Sequence, residues 1–186
     1  MPTILSHPAV PLALAWGLGR KVVSKPLLAA GVAASVFPDL DVLAFHLGIP
    51  YAAEWGHRGF SHSLLFALIV AVVGAGLSRP LRSTAKRVFW FLFVAAASHG
   101  TLDAFTNGGL GIAFLWPFSN ERFFAPLHPI EVAPLGISRF LSQKGVVVLW
   151  SEVLWIWLPL WSVATIAFAF RRYRTLRRRS IRKCAD

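Results

Sequence analysis

The chain has 186 residues, of which 56% are hydrophobic and only 15% charged, and it carries a formal net charge of +11. A soluble domain of this size cannot bury that much apolar surface, and soluble proteins carry roughly a quarter charged residues; a bilayer accepts such a chain. The basic residues sit in short clusters between apolar runs, with no soluble domain around them, which fits membrane topology and anionic headgroups and argues against a nucleic-acid partner.

The first apolar run, 8–19, is followed by Arg20, Lys21 and Lys25. It has no basic n-region and no small-residue cleavage site, so it is expected to stay in the membrane uncleaved. The second run, 26–37, stops at Pro38, and a short apolar stretch, 42–49, follows. The third, 64–77, is the clearest, and the fourth, 88–97, continues as a helix through Asp103. The 104–145 segment is long for a connection. Its Gly108-Gly109, Trp116-Pro117, Phe123-Phe124 and Pro126 suit either a lid dipping into the interface or a loop anchored there by aromatics. The last run, 146–170, alone comfortably spans a hydrocarbon core of ~30 Å. A basic tail, 171–186, closes the chain; its Cys184 is the one cysteine, so an internal disulfide is excluded and Cys184 reads as an incidental tail residue.

The expected fold is therefore all-α: a polytopic integral membrane helical bundle of four to five spans with a long outward loop, in one domain over 1–186 with its site core at 7–119. The first two runs are short, and are either re-entrant or extended by snorkelling basic side chains. All but Arg58, Arg122, Arg139 and Lys144 of the 19 Lys and Arg lie after run one, between runs three and four, or in the tail. If every run spans, these three clusters share a side, which the positive-inside rule makes cytoplasmic. The 38–63 connection and the 104–145 loop then face outward.

The outward helix ends collect the chemistry. They hold His7, Pro38-Asp39-Leu40-Asp41, His57-Arg58-Gly59-Phe60-Ser61-His62-Ser63 and Ser98-His99-Gly100-Thr101-Leu102-Asp103. At ~1.5 Å of rise per residue, each lies roughly 18–25 Å from the basic edge of its own run. Four segments thus deliver His or Asp to one layer, below the outer surface of the core. Ionisable residues inside a span cost a few kcal/mol and mark function. Three carboxylates in one layer need a cation or must take up protons. Imidazole and carboxylate without thiolate suit Zn²⁺, Mn²⁺ or Fe.

Each block also has a plainer reading. His99 and Asp103, at i and i+4, share a helix face and suit a hydrogen bond as well as chelation. Pro38-Asp39-Leu40-Asp41 suits a helix stop plus a cap; in an extended turn both carboxylates would point the same way and both could ligate. His62 suits the first turn of a helix capped by Ser61, with His57 in a solvent-facing loop. His7-Pro8 suits a helix start. Their joint occurrence at one depth favours a metal site.

With Leu115-Trp116-Pro117-Phe118-Ser119, these blocks resemble the YdjM-like family of bacterial and archaeal membrane-bound metal-dependent hydrolases, in the family's order over about residues 7–119. The His-Arg-Gly-x-x-His-Ser and Pro-Asp-x-Asp blocks are the specific ones. The His-x-x-x-Asp block is also similar, more loosely, to the metal motif of zinc-dependent phospholipase C proteins. The resemblance implies hydrolysis.

The leading expectation is an inner-membrane hydrolase that cleaves a phosphoester of an amphiphilic or lipid substrate arriving from the bilayer. His7, Asp39, Asp41, His62, His99 and Asp103 are the proposed ligands of one or two divalent ions, zinc first. The metal would polarise a phosphoryl oxygen and lower the pKa of a water. His57 is the candidate proton shuttle or supporting residue, and Arg58 the candidate phosphate partner, its plainer reading being a solvated outward charge. Glu121 and His128 are expected to stay outside the site. The competing readings are a metal binder or metal or proton transporter with the same ligands, and a scaffold whose His–Asp pairs only fix helix packing. The 64–77 run offers a transported ion no ionisable step, which disfavours transport.

Overall fold

The computed structural model describes residues 1–134 and 137–183, so Cys184 lies outside the described residues. The described residues form helices α1 (Ala9–Leu18), α2 (Lys25–Val36), α3 (Leu43–His46), α4 (Leu64–Gly76), α5 (Ala85–Ala104), α6 (Ile137–Phe140), α7 (Gln143–Glu152) and α8 (Leu158–Lys183), with irregular connections between them. Among the described residues there is no strand, only isolated bridges that tie Thr106 to Ile130 and Ile112 to Phe123.

Local chemistry sets the starts. Ser24 accepts from the amide of Leu27 at 3.2 Å, Ser63 from that of Phe66 at 3.1 Å, and Thr84 from that of Arg87 at 3.4 Å. Each such cap is worth about 1 kcal/mol. Ser63 rather than Ser61 therefore caps α4, and His62 lies just before that helix in a 3₁₀ turn, Phe60–His62. The α-helical part of run two ends at Val36, just before Pro38, but the chain goes on in helical turns. Pro38 enters the first turn of a 3₁₀ segment, Phe37–Val42, which joins α2 to α3. A proline without an amide is tolerated there because first-turn amides have no helical partner. Downstream, α7 and α8 run together through a π segment, Val153–Trp157.

Helix α4 packs along α5, α2 along the other side of α5, and α1 along α8. The core joins Leu27, Ala67, Val88, Phe91, Leu92 and Ala96. Small residues let the backbones approach: a Cβ on Gly31 would lie 2.3 Å from the Phe91 ring, and one on Gly74 2.1 Å from Leu92. Outside, Leu68, Ile69, Val72 and Val73 of α4 and Val163, Ile166 and Phe170 of α8 are exposed. Water opposes such faces and lipid does not. Among the described residues two stretches are long and apolar enough to cross a membrane, Lys25–His46 with 22 residues and Gln143–Arg178 with 36; Ala9–Leu18 and Leu64–Gly76 are shorter apolar helices.

The 104–145 segment is fastened down. Arg122 donates to the carbonyls of His57 and Ala53 at 3.1 and 3.0 Å, and the amide of Ala113 donates to the carbonyl of Arg58 at 3.1 Å. The segment braces the 51–59 turn from outside, while Phe118 stands 91% exposed at its tip.

Candidate metal centre

Four chain segments bring five side chains to one point at the end of the bundle. His7 lies in the turn that precedes α1, Asp39 in the 3₁₀ extension of α2, His62 just before α4, and His99 and Asp103 one turn apart on α5. None is more than 5% exposed. Nε2 of His7 lies 3.7 Å from Asp39 Oδ2 and 3.6 Å from Asp103 Oδ1. His62 Nε2 lies 3.6 Å from Asp103 Oδ2, and His99 Nε2 lies 3.3 Å from Asp39 Oδ1 and 2.9 Å from His62 Nε2. With bonds to zinc of roughly 2.0–2.2 Å, neighbouring ligand atoms stand about 3–3.5 Å apart. The observed separations lie close to that range.

Tautomers agree with it. His99 Nδ1 sits 2.7 Å from the carbonyl of Ser35. A carbonyl only accepts, so Nδ1 carries the proton and Nε2 presents its lone pair inward. The rings of His7 and His99 stack at 3.7 Å. Among the described residues, both oxygens of Asp39, both oxygens of Asp103 and both ring nitrogens of His7 are buried without a hydrogen-bond partner. Among the described residues Asp39 also has no Lys or Arg partner, and a buried ion left unpaired costs several kcal/mol. Nitrogen and oxygen donors without thiolate, converging around two buried carboxylates, fit a divalent cation.

The other predicted residues surround this cluster. Asp41 turns away from it. Its Oδ1 lies 2.5 Å from His57 Nδ1; its Oδ2 lies 3.1 Å from His62 Nδ1 and accepts from Ser61 Oγ at 2.6 Å and from the Arg58 amide at 3.1 Å. Asp41, His57 and His62 do form a third grouping close enough to hold an ion, beside His7–His99–Asp103 and Asp39–His62–His99. In that grouping, however, the polar atoms already satisfy one another. The two carboxylates do not point the same way because the segment is 3₁₀, not extended: at three residues per turn, i and i+2 diverge.

Arg58 is 1% exposed and turned inward rather than solvated. Its Nε lies 3.0 Å from Asp103 Oδ2, and its terminal nitrogens donate to the Gly108 carbonyl at 2.7 Å and Thr106 Oγ1 at 3.0 Å. It adopts φ 65°, in the left-handed region, which costs of order 1–3 kcal/mol for a side-chain-bearing residue. His57 is 4% exposed, not in a solvated loop. The Tyr51 ring meets it edge-on at 5.2 Å, and burial raises the phenol's pKa, so Tyr51 stays neutral. Glu121 and His128 are exposed and outside the cluster. Sequence reasoning missed the Ser35 carbonyl, Thr106 and Gly108, whose roles depend on tertiary placement. It also missed Glu152, which binds the segment before His7 and carried a signal as the one ionisable residue in the 146–170 run.

Fold and site together define a helical membrane protein with an enclosed His/Asp cluster of metal-binding composition. The chain belongs to the YdjM family: the family described as YdjM inner membrane protein matches residues 1–176, well beyond the 7–119 blocks. Among its relatives is "Inner membrane protein YbcI" of Escherichia coli (strain K12), 46% identical over 160 residues that cover 86% of this chain and 92% of that one. No solved structure matches.

Proposed function

We propose that the protein is a membrane-bound metal-dependent hydrolase that cleaves a phosphoester of an amphiphilic substrate, with one divalent ion, zinc first, held by His7, Asp39, His62, His99 and Asp103. The observation that carries the metal is the pair of buried carboxylates, Asp39 and Asp103, facing three imidazoles with only the Arg58 guanidinium among the described residues to offset them. A divalent ion there supplies Lewis acidity toward a phosphoryl oxygen and lowers the pKa of a water. Arg58 holds Asp103 in place and offsets its charge. Asp41 fixes the rings of His62 and His57 through their Nδ1 atoms. With its proton on Nδ1, His57 has Nε2 available to accept one, which suits proton transfer beside the site. We count Ala9–Leu18, Lys25–His46, Leu64–Gly76, Ala85–Ala104 and Gln143–Arg178 as five membrane passes, with the metal layer outward and the tail cytoplasmic.

One observation favours a second reading, a non-catalytic metal site: all five ligands are at most 5% exposed, and structural sites are closed where catalytic ones keep a position open. Purification in mild detergent without chelator, followed by elemental mass spectrometry, tests the metal. Retention of about one ion per chain, lost in His99→Ala and Asp39→Ala, is expected; absence of metal from the unsubstituted protein refutes both readings and leaves the scaffold. Metal without turnover of any lipid phosphoester on a panel favours the structural site or a transporter.

A further inference from the structure

The C-terminal helices hold a buried carboxylate that the metal cluster does not use. Glu152, the last residue of α7, is 1% exposed and lies in an otherwise apolar stretch. It accepts from the amide of Thr3, from Thr3 Oγ1 at 2.7 Å and from Ser6 Oγ at 2.7 Å. Trp157 Nε1 donates to the same Ser6 Oγ at 2.9 Å. In an α-helix, residues five apart differ by about 140° around the axis. The π segment that begins directly after Glu152 adds a residue to the turn, so Glu152 and Trp157 share a face and meet one serine. Such insertions are frequent at functional sites.

His7 explains what the clamp holds. His99 is fixed from behind by the Ser35 carbonyl, and His62 by Asp41. His7 has no hydrogen bond on either ring nitrogen among the described residues, so its position comes from its backbone and its stack on His99. That backbone is a compact turn, with the Ser6 amide on the Thr3 carbonyl at 2.9 Å and the Ala9 amide on the Ser6 carbonyl at 3.1 Å. Both polar corners of the turn, Thr3 and Ser6, hang on Glu152. We propose that Glu152 is the positioning residue for His7: it fixes the 3–6 turn against the last membrane helix and thereby sets the one imidazole ligand that lacks a hydrogen-bonded support. The role as stated rests on the metal reading above; the clamp itself is testable without metal.

The test is a double-mutant cycle read by Co²⁺ affinity and its visible absorption in detergent. Loss of a residue that supports a ligand typically lowers affinity about 10–100-fold. Glu152→Ala should do so, and should add nothing in a His7→Ala background, because residues acting through one another are not additive. Multiplying losses would overturn the proposal, since Glu152 would then act elsewhere. The metal-free test uses Cys184→Ser with His7→Cys as the alkylation reporter. Glu152→Ala should accelerate its alkylation clearly, whereas truncation of the buried neighbour Val148 to Ala should not. If Glu152→Ala does not fold, Thr3→Val with Ser6→Ala removes the two hydroxyl donors from the other side, leaving only the Thr3 amide, and should accelerate alkylation in the same direction. Unchanged alkylation in both overturns the clamp; a clamp confirmed in a chain that binds no Co²⁺ overturns only the metal reading.

Discussion

Asp39 and Asp41 lie two residues apart, and the structure gives them different work. Asp39 faces the imidazoles with partnerless oxygens, whereas both Asp41 oxygens are occupied by His57, His62, Ser61 and the Arg58 amide. Asp41→Asn replaces one acceptor oxygen with a donor that faces a donor, so either His57 or His62 loses its support. Loss of such a partner costs about 10–100-fold in metal affinity, or about 1.4–2.8 kcal/mol at ~1.4 kcal/mol per decade. The ligand set is untouched, so Asp41→Asn should still saturate with one ion per chain and keep the Co²⁺ absorption of the parent. Asp39→Ala deletes a proposed ligand and should alter that absorption and lose the ion during purification. Zinc competition against a chromophoric chelator in mild detergent, with elemental mass spectrometry for the count, measures both. Two ions per chain in the parent and one in Asp41→Asn would refute the reasoning and make Asp41–His57–His62 a second metal site.

Replacing Arg58 with Met removes the one guanidinium on Asp103; breaking a buried pair from one side costs roughly 3–5 kcal/mol, which should appear as a lowered midpoint of unfolding of the metal-free protein. Arg58→Lys keeps the charge but not the planar fork that spans Asp103, Thr106 and Gly108, and should still weaken zinc binding in the same competition assay. In Gly100→Ala the new Cβ would meet the His62 carbonyl at 2.8 Å. Overpacking typically costs about 1–3 kcal/mol, and because the displaced group is a ligand's own backbone, zinc affinity should fall along with thermal stability. A reporter fused after Asp186 should read as cytoplasmic and one inserted at Phe118 as non-cytoplasmic; the reverse pair of signals would overturn the orientation.

Much of the site was legible because helix rise is regular. Counting from the basic clusters placed His7, Asp39, His62, His99 and Asp103 in one layer, and the bundle does bring them together. Which of Asp39 and Asp41 faces the imidazoles was not legible, since it turns on whether six residues after α2 are extended or 3₁₀. Pro38 reads as a stop in sequence, yet here it sits where a missing amide costs nothing. Arg58 reads as a phosphate partner or a solvated cation until Thr106 and Gly108, some fifty residues on, fold over it. Glu152 was legible in principle: a lone carboxylate in an apolar run needs a partner. The partner, at residues 3 and 6, lies at the other end of the chain, where no local pattern points.

That separation constrains biogenesis. As the chain emerges in order, His7 leaves the ribosome first and Glu152 follows only after every residue of the His/Asp cluster. Until α7 arrives, Asp39, His62, His99 and Asp103 can assemble around α5 while the turn that carries His7 has nothing to anchor it. The His/Asp cluster would therefore close late in insertion, and a chain truncated before α7 would present it open, with one imidazole untethered.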